Sequence, residues 1–241
     1  MIREAHLNRA QWNALADDFE TEVCDITREA VSDQLNRYIA QIRLPKRATL
    51  VDLGCGLGTF IHQYHSLFAR ITGAEFAPRI IARAKKQCAG VPNVSWLTMD
   101  MARSAKIIGT VADLTVCMNV ITSPSASVRK GQWDAVTRVT KPGGFALIVV
   151  PSLESDVMVD TAMSPGREIA PAANGLVQRG EEFQKHYKRR ELRDIFAVQG
   201  FAPARVGRVY YPWAKEGIRR PRAARVKAPW DWACLAQRCA A

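Results

Sequence analysis

The residues best suited to chemistry in this 241-residue chain are Asp52, Gly54, Cys55, Gly56 and Gly58, an acid followed by three glycines at alternate positions. Glycine has no Cβ, so the main chain at such positions can take positive φ and let a ligand lie directly against it. An apolar, β-branched run over 48–53 leads into the glycines, and Phe60, Ile61, Tyr64, Leu67 and Phe68 leave them at helical spacing. The glycines therefore join a buried strand to a helix whose first N–H groups are unpaired and carry partial positive charge. A polar or anionic ligand group is expected on that turn. A dinucleotide fingerprint would need its third glycine where Thr59 stands, and the turn has no Lys-Ser or Lys-Thr to hold a triphosphate.

Further polar residues close the apolar runs downstream. Glu75 ends a short strand over 70–76, about 20 residues beyond the glycines, the spacing at which a carboxylate meets ribose hydroxyls in a βαβ nucleotide fold. A carboxylate offers only acceptors, which suits the two donors of a vicinal diol. Asp100 closes a third strand over 94–101, where it is also a good helix N-cap. Residues 112–121 form a continuous apolar run, as expected at the centre of a parallel sheet covered on both faces. Helices are predicted from Pro78 through Cys88 and over 128–139, and Lys141-Pro142-Gly143-Gly144 turns into a fifth strand ending at Pro151.

The acid-x-Gly-x-Gly-x-Gly pattern at a strand end resembles motif I of the class I S-adenosylmethionine-dependent methyltransferases, and the units over 50–151 fall in that family's order. The resemblance implies an α/β fold: a doubly wound, Rossmann-like, seven-stranded, mostly parallel sheet with helices on both faces and an antiparallel last strand. It implies S-adenosyl-L-methionine as cofactor and S-adenosyl-L-homocysteine as product. Asp52, Gly54, Cys55, Gly56 and Gly58 would cradle the amino-acid tail and Glu75 the ribose. Asp100 and the Met101 amide would meet the adenine, with Phe76, Leu97 and Met101 around the ring. Asn119 and Val120, at the motif IV position, would face both cofactor and acceptor.

The flanking regions extend the family picture. Residues 11–42 mix polar and apolar side chains with helical periodicity, which predicts a helical arm over 1–45 ahead of the core. In the family such an arm resembles a lid over the cofactor, with Trp12 and Phe19 as aromatic contacts near the methionine end. Residues 152–186 interrupt the strand-helix rhythm with Pro165, Gly166, Pro171, Gly175 and Gly180, although 153–163 has helical character. An insertion of this length beside the carboxyl ends of the strands reads as a substrate lid. A helix from His186 to Gly200, a strand through Val206, Val209 and Tyr211, and a last antiparallel strand over 230–238 complete the sheet.

The sulfonium donor is already activated, so a general base is required only for an acceptor that is protonated at working pH. His186 is the first candidate for such a base because it precedes the last helix near the lid, followed by Tyr187 and Glu154. The sequence lacks the Asn-Pro-Pro-Tyr arrangement of nucleobase amine methylation and the Pro-Cys nucleophile of cytosine carbon-5 chemistry. The expected acceptor is therefore a small molecule offering oxygen, nitrogen or sulfur.

Bulk properties set outer limits. With 48% hydrophobic and 24% charged residues the chain reads as one ordinary globular domain over 1–241. Neither an apolar signal core at the start nor a membrane-length apolar run is present, which predicts a cytoplasmic protein. Six cysteines without a Cys-x-x-Cys pair predict reduced thiols and no metal site. The net charge is +11, and residues 179–227 hold fourteen Lys and Arg against five Asp and Glu. Such a segment can attract an anionic small substrate or an RNA or protein substrate, but without regular aromatic interleaving it reads first as a solvated surface. A non-catalytic partner subunit that binds the cofactor is a further alternative. The oligomeric state is left open by the sequence.

Overall fold

A computed structural model describes residues 8–164, 166–167, 169–170, 172–179, 182–222 and 228–240. The first six residues, the breakers Pro165, Pro171 and Gly180, and the basic Arg225 and Lys227 lie outside that set.

The sheet is built from β1 (Thr49–Leu53), β2 (Arg70–Glu75), β3 (Val94–Thr98), β4 (Ala112–Met118), β5 (Thr140–Pro151), and, beyond a two-stranded hairpin of β6 (Leu176–Arg179) and β7 (Glu182–Lys185), β8 (Arg205–Tyr210) and β9 (Trp230–Gln237). Its order is β3-β2-β1-β4-β5-β9-β8. β9 pairs antiparallel with both β5 and β8, and the pairings from β3 to β5 are all parallel. The seven-stranded, mostly parallel sheet with one reversed strand is the architecture expected from the sequence. The strand order reverses direction between β1 and β4, and ligands of open α/β sheets bind at such a switch point, outside the carboxyl ends of the strands.

Alternation along β1 sends Val51 and Leu53 to one face and Leu50 to the other, and all five of its residues are buried. On the first face, Trp133, Val136 and Val139 of α8 (Ala126–Val139) and Leu192 and Phe196 of α10 (Arg189–Val198) cover the sheet. On the second, α4 (Gln34–Gln41) and α5 (Thr59–Tyr64) supply Leu35, Tyr38, Ile39, Phe60 and Ile61. Burial on both faces explains why these strands read as unbroken apolar runs.

The arm ahead of the sheet differs from a continuous helix. It is divided into α1 (Arg9–Ala14), α2 (Phe19–Glu22), α3 (Ile26–Glu29) and α4. Asp18, Asp25 and Asp33 stand at the starts of the last three, and the Asp25 side chain accepts from Thr27 N at 3.1 Å. Aspartate competes for nearby backbone N–H groups and so favours helix starts over helix interiors. Polar contacts tie the pieces to the core: Arg83 of α6 (Pro78–Gln87) reaches Glu20, and Val31 N donates to Tyr210 O at 2.8 Å.

The region 152–186 is more ordered than a loop. α9 (Leu153–Met163) starts at a Ser152 cap, and the hairpin of β6 and β7 follows. Among the described residues no helix is long and apolar enough to cross a membrane.

Close packing beneath the glycine bend generates a first prediction. A Cβ at Gly73 would lie 2.7 Å from the Trp96 ring and 2.9 Å from Ile61 Cδ1. Gly73→Val should therefore cost about 1–3 kcal/mol through overpacking. Urea unfolding should show a lower midpoint with an unchanged slope; an unshifted midpoint would show that this layer can yield.

Candidate active site

The bend after β1 is held from beneath by its neighbour strand. Gly54 N and Cys55 N both donate to Ala74 O, at 2.8 and 3.1 Å, and Gly58 N closes onto Cys55 O at 2.8 Å. Gly54, Gly56 and Gly58 take φ of 71°, 51° and 76°, the left-handed region that residues with a Cβ rarely enter. At Gly56 a Cβ would also stand 3.1 Å from the Phe19 ring, so the arm closes directly on the bend.

Above the bend lies a cavity of about 270 Å³ at the carboxyl ends of β1, β2 and β4. Of the residues expected to hold a cofactor, Trp12, Phe19, Asp52, Gly54, Cys55, Gly56, Glu75, Phe76, Asp100, Met101, Asn119 and Val120 all line it. Gly58 does not. It forms the cap of α5, with Trp96 and Cys88 packed against it. Leu97 also falls outside the lining and packs in the core, and Met99 stands beside Phe76 and Met101 in its place.

Glu75 is buried at the centre of this arrangement. One oxygen accepts from Phe76 N at 2.8 Å and Ala77 N at 3.0 Å, at the start of α6, and the other accepts from Gly56 N at 3.3 Å. Burial raises its carboxyl pKa and the three backbone N–H groups oppose that rise. Asp52 is 3% exposed, and burial together with the charges of Asp25 and Glu75 pushes its pKa up to about 8. Asp100 accepts from Ala102 N at 2.9 Å as a helix cap and stays exposed at the rim.

Asn119, where the chain leaves β4, has φ of 55°, the one positive value among the described non-glycine residues. Asparagine tolerates this region better than most residues, and such outliers concentrate at functional sites. Its Nδ2 donates to Asp231 Oδ2 at 2.8 Å, while its buried Oδ1 has no hydrogen-bond partner among the described residues. Asp231 is itself buried, with a pKa pushed up to about 7 by desolvation against the opposing Asn119 bond.

The expected acid-base residues are not brought to this cavity. Tyr187 is fully buried and donates through its hydroxyl to Ile121 O at 2.8 Å, and burial pushes its pKa upward. Glu154 accepts from Arg189 N at 3.0 Å and Trp232 Nε1 at 3.1 Å, joining α9 to α10 and β9. His186 is buried with Nδ1 3.7 Å from Asp156 Oδ1 on α9. Among the described residues none in 152–186 lines the cavity; the hairpin reaches it at second hand, through Lys185 N donating to Thr122 O at 2.8 Å. The insertion thus braces the site.

The cavity lining is acidic. Four carboxylates line the cavity, those of Asp25, Asp52, Glu75 and Asp100, and no Lys, Arg or His does among the described residues. Among the described residues from Lys185 to Arg222 no basic side chain lines it, and Arg208, Arg219, Arg220 and Arg222 are exposed to solvent.

Several lining residues escaped the linear motifs. Cys24, Asp25 and Thr27 come from the arm, and Val128 and Gln132 from α8. Asp231, outside the lining, carried a signal as an acid inside a strand otherwise apolar enough to be buried on both faces.

Residues 50–144 match the family model of the methyltransferase domain. No curated protein matches the chain. A chain from the Haloferax volcanii complex of the Trm112 methyltransferase activator with a protein designated a methyltransferase is similar, with a TM-score of 0.67 and 16% identity over 98% of this chain and 99% of that one. Burkholderia thailandensis 1,6-didemethyltoxoflavin-N1-methyltransferase, solved with its substrate and S-adenosylhomocysteine, gives 0.66 and 13% over 98% and 92%. Synechocystis magnesium protoporphyrin IX methyltransferase with bound S-adenosylmethionine gives 0.55 and 14% over 97% and 86%. These likenesses establish the fold. Over residues 50–144, which include the glycine bend, the chain is similar to the methyltransferase domain.

The raised carboxyls make stability depend on pH. Folded Asp52 keeps its proton well above the ordinary value of 3.8, so the native state binds more protons than the unfolded chain between that value and about 8. Its contribution is fully present below 3.8 and is lost as pH rises through about 8. Asp52→Asn should therefore melt higher than the parent by a wider margin near pH 8 than near pH 5. Thermal unfolding of the ligand-free proteins across that range checks this, and a margin independent of pH would contradict it.

Proposed function

We propose that this protein transfers the methyl group of S-adenosylmethionine to an oxygen, nitrogen or sulfur atom of a small-molecule acceptor, leaving S-adenosylhomocysteine. The observation that carries the reading is Glu75: a buried carboxylate directed at the glycine bend, with acceptor capacity remaining for a ribose diol. The donor set suits the cofactor in other respects. Phe76, Met99 and Met101 offer an apolar slot for a purine, Asp100 an acceptor at its rim, and the glycine bend room for the amino-acid tail. Trp12 and Phe19, their ring centroids 6.4 Å apart, lie on the arm as a cover for the bound cofactor.

The cofactor supplies an activated methyl on a positive sulfur. What remains for the chain is to align the acceptor behind that methyl and to exclude water, and alignment of this kind is worth roughly 7–11 kcal/mol in the best intramolecular cases. Cys24, Asn119 and Thr122 form the part of the lining left for the acceptor, which makes a neutral or cationic molecule the better fit. Cys24 and Cys55 line the cavity, and burial raises the pKa of both, which leaves neither suited to a nucleophilic role.

The exposed basic side chains outside the cavity support a second reading, methylation of RNA or of an acidic protein. The Haloferax relative, solved with an activator protein, adds a partner to that alternative. A non-catalytic cofactor-binding subunit is the third.

Isothermal titration calorimetry should show binding of S-adenosylmethionine by the parent protein. Both Gly56→Val and Glu75→Ala should lose it, by at least about tenfold in Kd, or about 1.4 kcal/mol. Retained affinity in both variants rejects the site. Formation of S-adenosylhomocysteine in a screen of neutral and cationic small molecules separates catalysis from mere binding, and retention on RNA that weakens steeply with salt would favour the second reading.

A further inference from the structure

The cavity stands out electrostatically from the molecule that contains it. The chain carries a formal net charge of +11, yet the cavity is lined by Asp25, Asp52, Glu75 and Asp100 with no basic side chain among the described residues. Asp25 belongs to the arm and to no methyltransferase motif. Its side chain is fixed at the start of α5 by the Thr59 hydroxyl and caps α3 through Thr27 N. Asp52 is the independent observation: it lines the cavity and is 3% exposed, and its carboxyl makes no hydrogen bond among the described residues. Charged or titratable groups close enough to act on it are Asp25 and Glu75, and the thiols of Cys55, Cys88 and Cys117 feel its charge in turn. Each of these neighbours is an acid. A buried carboxyl in such company gains most from a ligand that brings positive charge.

Methyl transfer removes that charge. The bond between sulfur and methyl breaks with its electron pair left on sulfur, an acceptor lone pair makes the new bond, and the acceptor's proton, where it has one, goes to solvent. The cationic sulfonium becomes a neutral thioether of nearly the same shape.

We propose that the carboxylate lining reads the charge on sulfur: the protein binds the sulfonium cofactor more tightly than the thioether product, and Asp52 releases a proton when the sulfonium enters and regains one after the methyl has left. Asp25 then acts as a specificity-determining residue that raises the preference for the charged form. This inference rests on the cofactor reading given above. Since Asp52 titrates at about 8, the exchange falls where solution measurements can reach it. At the screening typical of partly buried pairs, one added charge among these carboxylates should favour the sulfonium by ~10-fold in Kd.

The test is calorimetry of the full chain with S-adenosylmethionine and with S-adenosylhomocysteine, slightly below the pH at which Asp52 titrates, in two buffers of different ionisation enthalpy. The expected result is tighter binding of S-adenosylmethionine, with a heat that depends on buffer and reports net proton release, and a smaller release for S-adenosylhomocysteine. Asp52→Asn should abolish the difference in proton release, and Asp25→Asn should narrow the affinity ratio while melting as a folded protein. Equal affinities, or equal proton release by the two ligands, overturn the inference while leaving the cofactor reading intact. Binding of neither ligand by the parent protein overturns both.

Discussion

A carboxylate taken out of water needs hydrogen-bond donors to replace the solvent it has lost, and Glu75 finds them in the backbone alone. Phe76 N and Ala77 N serve one oxygen at the first turn of α6, and Gly56 N serves the other from the bend after β1. One side chain thus couples the end of β2, the start of a helix and a glycine loop that are separate in the sequence. The helix start places its partial positive charge beside the carboxylate, which offsets part of the desolvation cost. The bend is fixed a second time by Gly54 N and Cys55 N on Ala74 O, bonds made within the chain itself. A preformed cradle of this kind spares binding the cost of ordering the loop.

That constraint carries an electrostatic consequence. Once Glu75 is buried at the bend, every further acid brought to the cavity repels it, and the fold brings Asp52 from β1 and Asp25 from the arm. Asp52 answers by holding its proton, which removes most of the repulsion in the ligand-free protein. The apolar packing that surrounds these groups compensates for keeping them there: Leu50, Val51 and Leu53 of β1 are completely buried, as are Leu114 and Val116 of β4. A hydrophobic sheet with both faces covered can tolerate a few carboxyls at one edge, where the strands end and a cavity begins.

The sheet was legible because parallel strands buried on both faces must be apolar throughout, and because glycine and proline punctuate their ends. The residues from Asp52 to Val120 that line the cavity were legible for a related reason: they sit at strand ends, where a polar residue closing an apolar run stands out. The arm was harder. Its apolar spacing is helical from end to end, and only the local competition of Asp18, Asp25 and Asp33 for backbone N–H groups divides it. His186, Tyr187 and Glu154 were misplaced for a different reason. Their position in the chain, next to the carboxyl edge, says nothing about the direction of their side chains: Glu154 joins α9 to α10 and β9, Tyr187 packs on Trp133 and bonds to Ile121, and His186 faces Asp156 of α9. The basic segment contributes to the whole molecule's field, and none of its described side chains lines this cavity.

Asp231 shows what linear motifs cannot contain. It enters the sheet on β9, opposite Pro151 of β5, and bonds to Asn119 at the end of β4, 112 positions away in sequence. An ionised carboxylate only accepts, so the Asn119 amide must turn its Nδ2 toward Asp231 and its oxygen away. The left-handed turn at Asn119 and the reversed last strand together decide which end of that amide is free. What the tip of β4 presents is therefore set by a residue that does not itself line the cavity, on a strand added after every recognisable motif has ended. The topology of the last two strands thus reaches the edge of the cavity through the Asp231–Asn119 bond.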